Sequence, residues 1–159
     1  MSGAAKAKTV QDALVEARAV AGGSSRPPPP PATTQPVDSR KTILVVDDDP
    51  GVRATLARAL SASYHVYQAA DGAEAAELAA RIPAPSLLVC DVVMPRLDGF
   101  TLAKVFKSHP LLRHVPIMFL TSRSSPQDMV KGIGLGARQY VLKPFNLADL
   151  LSKIAKVLG

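Results

Sequence analysis

The sequence predicts an α/β fold, a doubly wound five-stranded parallel sheet with five helices on its two faces. Short apolar runs typical of buried strands alternate five times with segments of helical spacing. Hydrophobic residues make up 47% of the chain and aromatic residues 4%, so the core must be aliphatic. Strict alternation of strands and helices is typical of parallel sheets joined by right-handed crossovers.

Residues 1–40 differ in composition from the rest of the chain. A thin apolar stripe at helical spacing predicts a short helix over 10–21. Five consecutive prolines at 27–31 favour an extended polyproline II conformation. We therefore expect 1–40 to be a disordered, proline-rich extension and 41–159 to be the folded domain. A partner-binding arm is the alternative for the extension.

Five apolar runs of strand length, each bounded by turn residues, predict the strands. The third run is apolar throughout and ends at Asp91, a pattern typical of a strand buried on both faces. In chain order the predicted strands are 42–46, 64–67, 87–91, 116–120 and 139–142.

Four of the predicted helices begin at a side chain that can accept hydrogen bonds from the free N–H groups of a first turn. These capping residues are Asp49, Asp71, Ser125 and Asn146, while the third helix follows a turn at Asp98 and Gly99. In chain order the predicted helices are 50–62, 72–81, 99–108, 126–135 and 147–158.

Charge and cysteine content narrow the class of protein. The net charge is +6, but no run of five basic residues occurs, so we expect no nucleic-acid binding. The sequence contains neither a membrane-spanning apolar stretch nor a secretory apolar core, and we expect a cytoplasmic protein without membrane insertion. The single cysteine, Cys90, fits a reducing compartment and is predicted to lie in the core.

Polar side chains follow four of the five predicted strands. Asp47 and Asp48 follow the first, Asp91 the third, Thr121 the fourth and Lys143 the fifth. Because the carboxyl ends of parallel strands meet at one edge, we expect these side chains to converge. Clustered carboxylates favour a bound cation, and their oxygens suit Mg²⁺. Asp91 is a candidate carboxylate nucleophile, with donors nearby for a phosphoryl group. The alternative is that each residue only caps a helix or forms a turn.

These residues and their neighbours make the chain resemble the CheY-like receiver domain of bacterial two-component response regulators. The resemblance covers about 42–158 and implies a flavodoxin-like fold with strand order 2-1-3-4-5. It depends on four motifs: Val-Val-Asp47-Asp48-Asp49-Pro, Asp91-Val-Val-Met-Pro-x-Leu-Asp-Gly, Leu-Thr121-Ser and Tyr140-Val-Leu-Lys143-Pro-Phe.

The resemblance implies a role for the acidic residues. Asp91 would accept a phosphoryl group from the phosphohistidine of a histidine kinase or a histidine phosphotransfer protein. Asp48 and Asp91 would ligate Mg²⁺ together with the backbone carbonyl of Val93. Asp47 would contribute through a metal-bound water.

The resemblance also implies how the domain would respond. Lys143 would pair with a phosphoryl oxygen, and its bond to Pro144 would be cis. Thr121 and Tyr140 would act as switch residues that alter a surface recognised by a downstream protein target. That surface would be formed by helix 126–135, strand 139–142 and helix 147–158.

The main interpretation is a single-domain response regulator in a phosphorelay, which is not an enzyme and is a monomer or a weak phosphorylation-dependent dimer. We expect no output module after the last helix. The alternatives are a phosphate sink in a relay and a phosphorylation-independent adaptor that acts through the proline-rich arm. A phosphatase with an aspartate nucleophile would need a second acid at 93, where Val93 stands. Neither Val93 nor Arg123 can position an attacking water, so we expect slow loss of phosphate, with Arg123 shielding the group.

Overall fold

The computed structural model describes residues 40–159, which form one parallel sheet in the strand order β2-β1-β3-β4-β5. The predicted order and alternation are confirmed, whereas the predictions for the amino-terminal extension lie outside the described residues. The strands are β1 (Thr42–Val46), β2 (His65–Ala69), β3 (Leu87–Cys90), β4 (Ile117–Thr121) and β5 (Ala137–Leu142). The helices are α1 (Pro50–Leu60), α2 (Gly72–Ala79), α3 (Gly99–Ser108), α4 (Pro126–Gly134) and α5 (Leu147–Leu158).

The helix starts agree with their predicted capping residues. Asp49, Asp71, Ser125 and Asn146 each accept a hydrogen bond from a backbone N–H of the first turn that follows. Asp98 does the same for α3, because its side chain accepts a hydrogen bond of 2.8 Å from Thr101 N. Since a helix leaves its first N–H groups without internal partners, these side chains determine where each helix begins.

Three predicted helix ends, three strand starts and three strand ends are wrong by one or two residues. Strands β2, β3 and β4 are observed at His65–Ala69, Leu87–Cys90 and Ile117–Thr121, rather than at 64–67, 87–91 and 116–120. Helices α1 and α2 end two residues early, and α4 ends at Gly134 because the chain adopts a positive φ of 92° at Gly136. Strand β5 begins at Ala137 rather than 139, next to a register shift between Ile117 and Met118 of β4. Such ends depend on backbone hydrogen bonds that leave little trace in the apolar pattern.

Two hydrophobic clusters cover the faces of the sheet, and the first departs from the predicted aliphatic core because it contains Phe100, Phe106 and Phe119. Alternate residues of β1 and β3 point to opposite faces, so Leu44 and Leu88 lie in one cluster and Ile43 and Leu87 in the other. Helices α2 and α3 contribute to the first cluster, whereas α1 and α5 contribute to the second. Cys90 is buried in the first cluster, as predicted. No helix among the described residues is long and apolar enough to cross a membrane.

Candidate functional site

The acidic residues converge at the carboxyl edge of the sheet. The backbone there continues the strand ladder: Asp91 N donates to Val46 O at 2.9 Å, and Asp47 N donates to Ala69 O at 3.1 Å. Consequently Asp47, Asp48 and Asp91 can each offer an oxygen within 4.8 Å of the others. Asp47 and Asp91 are buried, whereas Asp48 is exposed to solvent.

Lys143 joins the two buried carboxylates. Its Nζ donates to Asp47 Oδ2 at 2.7 Å and to Asp91 Oδ2 at 3.0 Å. The backbone N of Lys143 donates to Thr121 O at 2.9 Å, which places the side chain at the end of β5. Its peptide bond to Pro144 is cis, as expected from the family resemblance.

Burial and pairing act in opposite directions on the site's pKa values. Burial raises the pKa of Asp47 above its usual 3.8, although hydrogen bonds from Lys143 and Asp49 N oppose the rise. Burial would lower the pKa of Lys143, but its hydrogen bonds to Asp47 and Asp91 outweigh burial and raise it. The ammonium is therefore held in its charged form, between carboxylates whose charge exceeds its own.

The donor set fits a magnesium ion. Three carboxylates with one ammonium leave an excess negative charge, which favours binding of a further cation. Hard oxygen ligands from one or two carboxylates, with waters retained, are what Mg²⁺ prefers. The exposed position of Asp48 leaves room for such waters. Val93 N donates to Asp91 Oδ1 at 3.2 Å and so holds the following loop against the Asp91 carboxylate.

The two predicted switch residues lie on either side of Arg123. Thr121 is fully buried, and its Oγ1 accepts a hydrogen bond of 3.2 Å from Arg123 N. The hydroxyl of Tyr140 donates to Arg123 O at 2.8 Å, and its ring lies 6.0 Å from that of Phe119. The side chain of Tyr140 therefore lies beside the β4–α4 loop, and Gly132 of α4 packs on its ring.

Several polar contacts near the site were not anticipated from the sequence. Arg53 Nη1 donates to Asp47 O at 2.6 Å, so the first turn of α1 also supports the acidic segment. The guanidinium of Arg123 pairs with Asp128 at 3.3 Å. Arg96 pairs with Asp71, 25 residues earlier in the chain. The sequence shows that these residues are arginines, but it does not show which groups they contact, because those contacts depend on the tertiary fold.

The comparisons with known proteins agree with this geometry. The model of the response regulator receiver domain family matches residues 43–155. Response regulator MprA of Mycobacterium leprae is 45% identical over 117 residues, which are 73% of this chain and 50% of that protein. A probable cyclic di-GMP phosphodiesterase of Vibrio cholerae is 37% identical over 116 residues, or 26% of its length. The chain thus spans half or less of these curated relatives.

Solved structures of response regulators are similar to the described part of the chain. The chemotaxis response regulator CheY4 of Vibrio cholerae has a TM-score of 0.70 and 32% identity, over 75% of this chain and 99% of that one. A response regulator described as putative, from Chloroflexus aurantiacus, has a TM-score of 0.70 and 36% identity, over 76% and 98% of the two chains. The described part of this chain therefore corresponds to nearly the whole of each solved chain.

Proposed function

The chain belongs to the receiver domain family of response regulators in two-component signalling, and from that premise we propose that Asp91 is its phosphoryl acceptor. The observation that carries the proposal is the hydrogen bond of 3.0 Å from Lys143 to Asp91 at the shared edge of four strands. A histidine kinase, or a histidine phosphotransfer protein, would be the donor. The domain would take part in its own phosphorylation and dephosphorylation without acting on a separate substrate.

The proposed transfer uses the carboxylate of Asp91 as a nucleophile. One of its oxygens forms a bond to phosphorus while the bond from phosphorus to the histidine nitrogen breaks, and that nitrogen keeps the electron pair. Lys143, already at 3.0 Å from Asp91 Oδ2, can balance the negative charge of a phosphoryl oxygen. The backbone N of Val93 holds Asp91 Oδ1 at 3.2 Å and so limits the orientations of the carboxylate.

The remaining acidic residues would serve the cation. Asp48, Asp91 and the Val93 carbonyl would hold Mg²⁺, which supplies positive charge for the phosphoryl oxygens when it is bound. Both carboxylate oxygens of Asp47 accept hydrogen bonds already, from Asp49 N at 2.9 Å and Lys143 at 2.7 Å. That arrangement supports an indirect role for Asp47, through a water and through the position of Lys143.

The proposed output surface consists of α4, β5 and α5. Thr121 would donate its hydroxyl to the phosphoryl group, and movement of the β4–α4 loop would break the hydrogen bond between Tyr140 and Arg123. Helix α4 exposes an apolar side on which Val130 is 72% and Ile133 57% accessible. A downstream protein that binds this side would sense the change in Tyr140. We propose that the protein acts in the cytoplasm, as a monomer or a weak phosphorylation-dependent dimer.

The proposal is tested by treating the purified full chain with acetyl phosphate, with and without Mg²⁺, and measuring intact mass. We expect the wild type to gain one phosphoryl group when Mg²⁺ is present and the Asp91→Asn variant to gain none. Asp98→Asn is the matched control, because asparagine also caps helices and Asp98 lies outside the acidic cluster. Equal labelling of Asp91→Asn and wild type would contradict the assignment.

A further inference from the structure

The loop between β3 and α3 contains a strained turn. Leu97 N donates to Pro95 O at 2.8 Å, and Arg96 between them has a φ of 69°. This is the three-residue γ-turn with positive φ, which is rare and strained. Within residues 40–159, Arg96 is the sole residue other than glycine with a positive φ. A strained backbone of this kind persists where surrounding contacts hold it, and it often lies at a functional site.

An ion pair to the start of α2 holds the turn in place. Arg96 Nε and Nη2 lie 3.0 and 2.7 Å from Asp71 Oδ2, while Asp71 Oδ1 accepts from Glu74 N at 2.8 Å. Burial would raise the pKa of Asp71, but the hydrogen bonds from Glu74 N and Arg96 outweigh burial and lower it. The carboxylate is therefore charged while it caps α2 and binds the loop.

Backbone contacts beside the ion pair are equally close. A Cβ at Gly72 would lie 2.5 Å from Leu97 O, so the loop is seated directly on the first residue of α2. Within the loop, Gly99 N donates to Val92 O at 2.8 Å and closes its base. The segment from 93 to 98 is thus fixed at its base by this hydrogen bond and at its tip by Arg96.

The ion pair connects the two sides of the acidic pocket, which is formed by Asp47 and Asp48 after β1 and by Asp91 after β3. The segment that begins α2 follows β2, and Ala69 O at the end of β2 accepts the hydrogen bond from Asp47 N. The loop begins at Asp91 and carries Val93, whose N–H binds Asp91 Oδ1. Consequently the Arg96–Asp71 pair restrains the β3 side of the pocket relative to the β1 side.

We propose that Arg96 and Asp71 are positioning residues, which set the loop so that Asp91 and the Val93 carbonyl face a bound cation and a phosphoryl group. This inference depends on the function proposed above. The Arg96 side chain is 64% exposed, and exposed ion pairs contribute little to folding stability. The pair therefore acts mainly on the loop and on ligand affinity, and only weakly on the stability of the fold.

Three variants of the full chain separate the ion pair from the turn strain. Arg96→Gly removes the guanidinium and also relieves the strain, because glycine adopts a positive φ at no steric cost. Arg96→Ala removes the guanidinium but keeps the strained turn. Asp71→Asn keeps a side chain that caps α2 but loses the charge. Arg113→Ala, at an exposed position before β4, is the matched control for the loss of an exposed arginine side chain in Arg96→Ala.

The first measurement is the Mg²⁺ dissociation constant by titration calorimetry, together with the urea midpoint of each variant. We expect the Mg²⁺ dissociation constant to rise about tenfold in Arg96→Gly and in Asp71→Asn. This is the lower end of the effect that is typical when a residue that orients a metal ligand is lost. The double variant should be no weaker than either single variant, because both remove the same interaction. The urea midpoints of Arg96→Ala, which keeps the strained φ, and of the Arg113→Ala control should stay close to that of the wild type.

The second measurement is amide hydrogen exchange of Leu97 and Gly99, which reports on the loop without any ligand. We expect exchange at both amides to be roughly fivefold faster in Arg96→Gly and Asp71→Asn than in the wild type. If the wild type takes up no phosphoryl group but exchange in the variants is still faster, the proposed function is contradicted while the positioning role remains supported. Exchange and Mg²⁺ affinity within twofold of the wild type in both variants would overturn the inference.

Discussion

Replacing Lys143 by methionine removes the ammonium that lies between Asp47 and Asp91. The substitution keeps an unbranched side chain of similar length but leaves two buried carboxylate oxygens without their donor, at positions now 2.7 and 3.0 Å from Nζ. A hydrogen bond to a charged group contributes about 1.5 kcal/mol or more to stability. For two such bonds we expect unfolding free energy to fall by about 3 kcal/mol at pH 8, or ~10 °C in melting temperature.

The loss should depend on pH in a definite direction. The pKa of Asp47 is raised by burial in the folded protein, so the folded state binds its proton more tightly than the unfolded state does. Stability therefore decreases as the pH rises through that pKa. Without Lys143 the pKa of Asp47 rises further, because the hydrogen bond that opposes burial is gone. We expect the difference between variant and wild type to be largest at pH 8 and to decrease as the pH is lowered, because protonation of Asp47 in the variant removes its unpaired buried charge.

Urea unfolding followed by far-UV circular dichroism measures this difference. Lys153→Met is the matched control, because Lys153 pairs with the exposed Asp149 one turn earlier on α5, and we expect a change below about 0.5 kcal/mol. Added Mg²⁺ should bind Lys143→Met more tightly than the wild type, since the ammonium no longer competes for Asp91, while labelling by acetyl phosphate should fall. Equal destabilisation by the two methionine variants, or a Lys143→Met loss that grows toward pH 5, would refute the reasoning.

Two further predictions concern glycines and the lifetime of the phosphoryl group. Gly99→Ala would place a Cβ 2.1 Å from Asp91 O, and we expect it to destabilise the fold by about 2 kcal/mol or more. A Cβ at Gly134 would have nothing within 4 Å, and we expect Gly134→Ala to stabilise the fold by about 0.4–1 kcal/mol. Melting temperatures that shift together for both variants would contradict this. Phosphorylated wild type should lose its label slowly, because the exposed Val93 offers no group to position water, and Val93→Glu should shorten the half-life at least severalfold. A half-life of seconds for the wild type, measured by intact mass, would disprove the second prediction.

The convergence of the polar residues was predictable because it depends on a local pattern. Four of the five apolar runs end at a polar side chain, and parallel strands place those ends at one edge, so Asp47, Asp91 and Thr121 had to lie near one another. The capping residues were predictable for the same reason, since each acts within one turn of its own position.

The contacts that cross the chain could not be predicted from such patterns. The positive φ of Arg96 lies at a position where the sequence shows no glycine or asparagine, the residues usually found there. Its partner Asp71 was recognised only as a cap, because nothing in its spacing indicates a second role. The orientation of Tyr140 depends on the absence of a side chain at Gly132 and on Phe119, which lie on α4 and β4 and contact Tyr140 only once these elements pack together.

The central claim is that the phosphoryl group is attached to Asp91 and to no neighbouring acid. Borohydride reduction of freshly labelled protein converts an aspartyl phosphate to homoserine, and peptide mapping by mass spectrometry then identifies the modified position. We predict homoserine at Asp91, with Asp47 and Asp48 unmodified in the same sample. Homoserine at Asp47 or Asp48 in place of Asp91, in protein labelled once in the presence of Mg²⁺, would contradict the assignment of the site.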